Sequence, residues 1–160
     1  MNHSLVTGVR AGESSDAPQL LTMVEASAES FAFDKETWQR RLTEPGTHTY
    51  VVELEQIFGF ATAGSAELAE GEGIGEVLGL WIAPEFRRQG WGRKLLVRAL
   101  GFLKRRGFAF AQVYVEPDSP AIVALLIGLD FKPILATREV NYAQATQVQR
   151  GYQVDLKNYF

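Results

Sequence analysis

The stretch Glu76 to Ala83, EVLGLWIA, constrains this chain more than any other. It is apolar almost throughout and is bounded by Gly75 and Pro84. A run that short and uniform reads as a central strand buried on both faces, because a half-exposed strand would alternate. Such a strand needs helices packed against its sheet, and the chain supplies one at once. From Trp91 to Arg106, residues Leu95, Leu96, Ala99, Leu100 and Leu103 mark one apolar helical face. Arg93, Lys94, Arg98 and Arg105 fall elsewhere, and Gly107 ends the segment.

The flanking segments extend this pattern. Ala109 to Val115 reads as another strand, and Pro120 to about Leu129 as another helix. Upstream, Leu5 to Arg10 alternates loosely before Gly12 and predicts a short first strand. Ser14, Ser15 and Asp16 offer caps for a helix in which Leu20, Leu21, Val24 and Ala28 recur at helical spacing, with Pro18 tolerated in its first turn. Trp38 and Leu42 predict a second short helix, stopped by Pro45-Gly46. Tyr50, Val52 and Leu54 alternate as a strand does, and Ile57 to Ala63 reads as its hairpin partner. Gly64 to Gly75, with Glu67, Glu70 and Glu72, shows no period and reads as a loop. Lys132 to Tyr142 and Tyr152 to Leu156 form a closing hairpin across a polar connection. A hairpin followed by strand–helix–strand–helix argues for a mixed α/β sheet with helices on its faces.

Composition narrows the function classes. The 160 residues contain no linker or repeat and suit a single domain, 1–160. A net charge of −3 argues against binding nucleic acid or an anionic membrane, both of which want a basic surface. No apolar run approaches the ~20 residues of a membrane span, and the polar start Met1-Asn2-His3-Ser4 leads to the expectation of a cytoplasmic protein. There is no cysteine, which removes disulfides, thiolate metal sites and a cysteine nucleophile together. His3 and His48 stand apart from other ligands, so neither a metal site nor a histidine triad is expected.

Between the strand and the helix lies Arg87-Arg88-Gln89-Gly90-Trp91-Gly92. Glycines at 90 and 92 let backbone N–H groups approach a ligand, and the helix N-terminus aims its unpaired N–H groups and dipole at the same place. Arg87, Arg88, Arg93 and Lys94 add positive charge. The ligand such a turn calls for is a phosphate, plausibly a pyrophosphate. Gly-x-Gly alone is better explained by a tight turn carrying solvated basic side chains. A Walker loop would need Lys-Ser/Thr after Gly92, where Arg93 stands, and a dinucleotide fingerprint would need glycine at Leu95.

The pattern Arg/Gln-x-x-Gly-x-Gly/Ala, preceded by strand-Ala83-Pro84 and followed by Leu95-Leu96, resembles the acetyl-CoA signature of the GNAT N-acetyltransferase superfamily. The resemblance implies a mixed, mostly antiparallel central sheet flanked by helices, and acetyl-CoA as co-substrate. It assigns the pantetheine arm and thioester to backbone groups of Leu80, Trp81 and Ile82, and the pyrophosphate to Arg87 through Gly92 with Arg93 and Lys94. A later family pattern, Asn-x-x-Ala-x-x-Leu-Tyr-x-x-x-Gly-Phe, aligns with Ser119, Ile122, Leu125, Leu126, Asp130 and Phe131. Leu126 stands where the family's tyrosine often protonates the departing thiolate, and leucine cannot donate. That departure keeps a non-catalytic acyl-CoA-binding module as the alternative to an enzyme.

The acceptor that the resemblance implies is an amine of a small molecule, peptide or protein. A lysine-like amine, pKa ~10.4, must lose a proton before it attacks. Glu76 resembles, in its spacing to Gly90, the general-base glutamate of histone-acetylating members; a strand-end residue facing water is its other reading. Tyr114 and Glu116 are the reserve candidates, and Tyr142 is a further candidate acid. A strand N–H near Trp81 or Ile82 would serve the oxyanion. Without cysteine, direct attack in a ternary complex is favoured. The acidic loop, or Phe31, Phe33 and Trp38, could line the acceptor pocket, although a solvated loop and core anchors explain them as well. A homodimer is left open.

Overall fold

The computed structural model describes residues 8–26, 44–66, 73–116, 119–141 and 146–159. The expected helix with Trp38 and Leu42, the aromatics Phe31 and Phe33, the acidic loop residues Glu67, Glu70 and Glu72, Tyr142 and His3 all lie outside them. Seven strands form one sheet: β1 (Val9–Ala11), β2 (His48–Glu53), β3 (Ile57–Ser65), β4 (Ile74–Ile82), β5 (Phe110–Val115), β6 (Lys132–Asn141) and β7 (Thr146–Asp155). Their order is β1-β2-β3-β4-β5-β7-β6. Among the described residues only β4 and β5 run parallel; every other neighbouring pair is antiparallel. Among the described residues the α-helices are α1 (Ala17–Ala26), α2 (Trp91–Arg105) and α3 (Pro120–Gly128).

Side-chain pattern explains why α2 sits where it does. Leu95, Leu96, Leu100 and Leu103 are fully buried, each worth about 1.5–3 kcal/mol of transfer from water, while Arg93, Lys94, Arg98 and Arg105 remain exposed. The buried stripe lies on β2, β3 and β4, with Leu103 against Gly75. At the start of α1, Asp16 accepts the Glu13 N–H at 2.8 Å and pairs with Arg10 at 2.9 Å, joining the turn to the edge of the sheet.

Several boundaries differ from the sequence reading. Strand β4 begins at Ile74, so Glu76 is its third residue and does not open it. Leu54 lies in the turn after β2 and is exposed, so its place in the alternation reflected a turn residue. Strand β3 continues to Ser65, past the small residues that carry no period. Strand β7 starts at Thr146, six residues before the expected Tyr152, and gives way at Leu156 to a short 3-10 turn. Its first half, Thr146 to Arg150, is polar and mostly exposed, so backbone pairing to β6 makes it a strand without an apolar pattern to announce it. Of the expected first strand, Val9 and Arg10 are in β1, which ends at Ala11.

Candidate active site

Strands β4 and β5 are paired only at their starts, Ile74 with Phe110, Gly75 with Ala111 and Glu76 with Gln112. Beyond Glu76 they separate, leaving a split between the later part of β4 and Val113–Val115. A bulge contributes to this divergence. Ala63 pairs with Val77 and Thr62 with Gly79, so Leu78 is an extra residue on β4, and bulges bend and twist the strand that carries them.

Register decides which backbone groups face the split. Ala83 donates to the Phe58 carbonyl at 2.8 Å, and in an antiparallel pair alternate residues repeat that direction. Trp81 and Gly79 therefore turn their backbone groups to β3, while Leu80 and Ile82 turn theirs to the split. The sequence reading placed the thioester donor near Trp81 or Ile82; the register removes Trp81 from that role and brings in Leu80. The carbonyl of Ile82 already accepts from Arg87 Nε at 2.7 Å, so Arg87 braces the loop against the strand end.

The loop after β4 has the form an anion needs. Arg88 and Gly90 both have positive φ, 65° and 88°, and Gly90 is the N-terminal cap of α2. With glycine there, no cap side chain covers the first-turn N–H groups of Trp91, Gly92 and Arg93. A Cβ added to Gly92 would meet only Leu125, at an ordinary 3.6 Å. The fold's own packing therefore does not require glycine at position 92. Arg88, Arg93 and Lys94 are exposed around it. Gln89 reaches the Glu85 carbonyl at 3.3 Å. The Trp91 ring instead turns inward, edge-on to Phe58 at 5.2 Å, so this residue offers the site its N–H and not its ring.

At the point of the split, one sheet face carries polar side chains. Leu103 covers Gly75, so the next residue, Glu76, points to the face away from α2. Gln112, Tyr114, Gly151, Gln153, Gln149 and Arg138 share that face by register. Glu76 is 0% exposed and its Oε2 lies 3.0 Å from Arg138, whose side chain is 11% exposed. This corrects the water-facing alternative for Glu76 and supplies a partner from β6 that the sequence did not reveal. The Tyr114 hydroxyl donates to Gln112 Oε1 at 3.4 Å, and Gln112 Nε2 to Gln153 Oε1 at 2.9 Å. Burial, followed by the charge of Glu76, raises the Tyr114 pKa above its ordinary value, with Arg138 opposing. Glu116, half-buried just past β5, accepts from Gln149 Nε2 at 2.8 Å.

The α3 residues divide. Ser119 precedes the helix and Ile122 and Leu125 are half-buried, but Leu126 is 0% exposed within the core. Leu126, a coenzyme contact in the sequence reading, instead packs within the core in this structure. Among the described residues no group of acidic or histidine side chains could hold a metal ion, and no helix is long and apolar enough to cross a membrane.

A parallel strand pair that splits beside an uncapped, glycine-started helix defines a mixed α/β domain with bare backbone N–H groups at the end of β4. The sequence profile of the acetyltransferase (GNAT) family matches residues 16–128, and the chain belongs to that family. The mycothiol acetyltransferase of Renibacterium salmoninarum is 33% identical over 104 residues, which cover 64% of this chain and 31% of that longer protein. The fold resembles that of the ribosomal-protein-S18-alanine N-acetyltransferase from Escherichia coli, with TM-score 0.75 at 18% identity over 92% of each chain. It also resembles Arabidopsis thaliana NAA60 in complex with acetyl-CoA, with TM-score 0.78 at 13% identity over 93% of this chain and 98% of that one.

Proposed function

We propose that the chain transfers an acetyl group from acetyl-CoA to a primary amine of a small molecule, peptide or protein, by direct attack in a ternary complex. The observation that carries this reading is the split of β4 from β5, which begins at buried Glu76 and lies beside the uncapped start of α2. Bound acetyl-CoA would supply an activated acetyl thioester. The N–H groups of Trp91, Gly92 and Arg93, with Arg88, Arg93 and Lys94, hold the pyrophosphate. The backbone edges of Leu80 and Ile82 align the pantetheine arm, and an N–H of one of them polarises the acyl carbonyl. Glu76 accepts the proton of the amine once the amine, or a water between them, enters the split. Tyr114, kept protonated by burial, donates at the sulfur end in place of the tyrosine that position 126 lacks. The mycothiol acetyltransferase likeness supports a small-molecule amine, and the ribosomal-protein acetyltransferase fold a protein amine.

The test is acetyl-CoA consumption across a panel of amines that includes aminosugars, polyamines and peptide N-termini. Turnover on at least one supports the reading; coenzyme binding with no turnover on any supports a non-catalytic acyl-CoA-binding module. Gly90→Asp puts a carboxylate, and a side chain with a strained positive φ, where the phosphates belong. Calorimetry should show severe loss of acetyl-CoA binding, and binding at wild-type strength would move the phosphate site elsewhere.

A further inference from the structure

We propose that Arg138 is a positioning residue that holds Glu76 and Tyr114 as one unit at the point of the split and joins Glu76 to Glu116 through Gln149; this rests on the acetyl-transfer reading above.

Arg138 stands on β6, separated from β4 by β7 and β5, three strand spacings or roughly 14 Å. Its side chain reaches past β7 and β5 toward the Glu76 side chain, which extends to meet it from β4. Nε donates to Gln149 Oε1 on β7 at 2.9 Å. The guanidinium carbon lies 4.4 Å from the centre of the Tyr114 ring on β5. Finally Nη1 lies 3.0 Å from Glu76 Oε2 on β4. Gln149 in turn donates to Glu116 at 2.8 Å, so the two carboxylates considered as alternative bases are ends of one network.

The surrounding backbone makes space for this arrangement. Gly151 lies opposite Tyr114, and a Cβ there would come within 3.0 Å of both the Tyr114 ring and the Ile134 side chain. Three β6 residues, 134 to 136, stand where β7 has only Gly151. That irregularity brings Ile134 over the glycine, and the absence of a Cβ leaves room there for the Tyr114 ring.

Chemistry gives the arrangement its use. A carboxylate with no exposure and no partner would take up a proton near neutrality, and a protonated Glu76 could accept nothing from an amine. Guanidinium stays charged at every accessible pH and carries planar donors that can meet two partners while stacking on a ring. Lysine has the charge without that geometry. Among the described residues, the charged and titratable groups facing Arg138 are Glu76 from β4, Tyr114 from β5, and Glu116 through Gln149; register turns Glu139 and Arg150 to the opposite face.

The experiment uses the full chain. The Glu76 carboxyl is followed by carbon-13 NMR in glutamate-labelled protein, its signal assigned by loss in Glu76→Gln. In Arg138→Gln the protonation midpoint should rise by about one unit or more, a tenfold or greater change in proton affinity. Turnover at neutral pH should fall about tenfold or more and recover as pH rises, with KM for acetyl-CoA unchanged. A midpoint equal to wild type, or a loss of turnover that is the same at every pH, overturns the proposal. If Arg138→Gln does not fold, Arg138→Lys decides: an intermediate midpoint and turnover support positioning, and wild-type values for both overturn it. Wild-type protein without turnover on any amine counts against acetyl transfer alone, because the NMR midpoint reports on the network without a substrate.

Discussion

At position 126 the helix α3 places a leucine in its most buried position, where the family pattern carries a tyrosine. Alignment could show the substitution but not its surroundings; only packing shows that the side chain belongs to the core. Leu126→Tyr therefore forces a larger, polar-tipped side chain into filled space, and overpacking of this kind costs about 1–3 kcal/mol. Urea unfolding should show a lower midpoint, and turnover at alkaline pH should not rise. A gain in alkaline turnover would mean that the ring reaches the coenzyme after all. Glu76 poses the opposite case, since its type and place near the start of β4 were legible while its partner was not. Glu76→Gln keeps the shape and removes the proton acceptor, so turnover should fall about 10²–10⁴-fold with acetyl-CoA binding almost unchanged in calorimetry. Equal activity across the neutral range would pass the role to Glu116 or to water.

Elements whose own residues carry a period were legible: α2, α3, β4 and β5 lie within two residues of their expected limits. The bulge at Leu78, the irregularity near the start of β6 and the early start of β7 were not, because each depends on what a neighbouring strand offers. Contacts between α2 and β2 give a further testable consequence. The His48 ring stacks on Phe102 at 5.0 Å and meets Tyr50 edge-on at 4.6 Å. Burial first, then Arg105 and Arg98, lowers its pKa from 6.5. Below that pH the unfolded chain holds a proton that the folded one does not, so stability is complete above about 6.5 and falls as pH drops beneath it, until the lower folded value is passed. His48→Phe keeps a ring on Phe102 and removes the titration. Denaturation midpoints measured from pH 7 to 5 should fall less steeply in the variant, and identical slopes would remove His48 from the acid response.

Across the whole molecule, the proposed site is made from the same β4, β5 and α2 that carry the core, so binding there would be linked to folding. Acetyl-CoA at a hundred times its Kd should stabilise the fold by about 2.7 kcal/mol, or roughly 5–11 °C in Tm for a domain of this size. Thermal unfolding with and without the ligand checks this, and an unchanged Tm at millimolar acetyl-CoA would contradict a site in this place. What the sequence by itself determined was local: the buried strand, the glycine turn with its flanking cations, and the amphipathic helix behind it. Each of these follows from residue periodicity and from the φ freedom of glycine, which act within a few residues. The tertiary structure alone decided which strand N–H groups face the split, that Leu126 is core, and that Glu76 meets Arg138. Those outcomes depend on register and strand order, and the last joins residues 62 positions apart across two intervening strands. Hydrophobic patterning specifies which face of a strand is buried, but it carries no information about which charged side chain a distant strand will bring to that face.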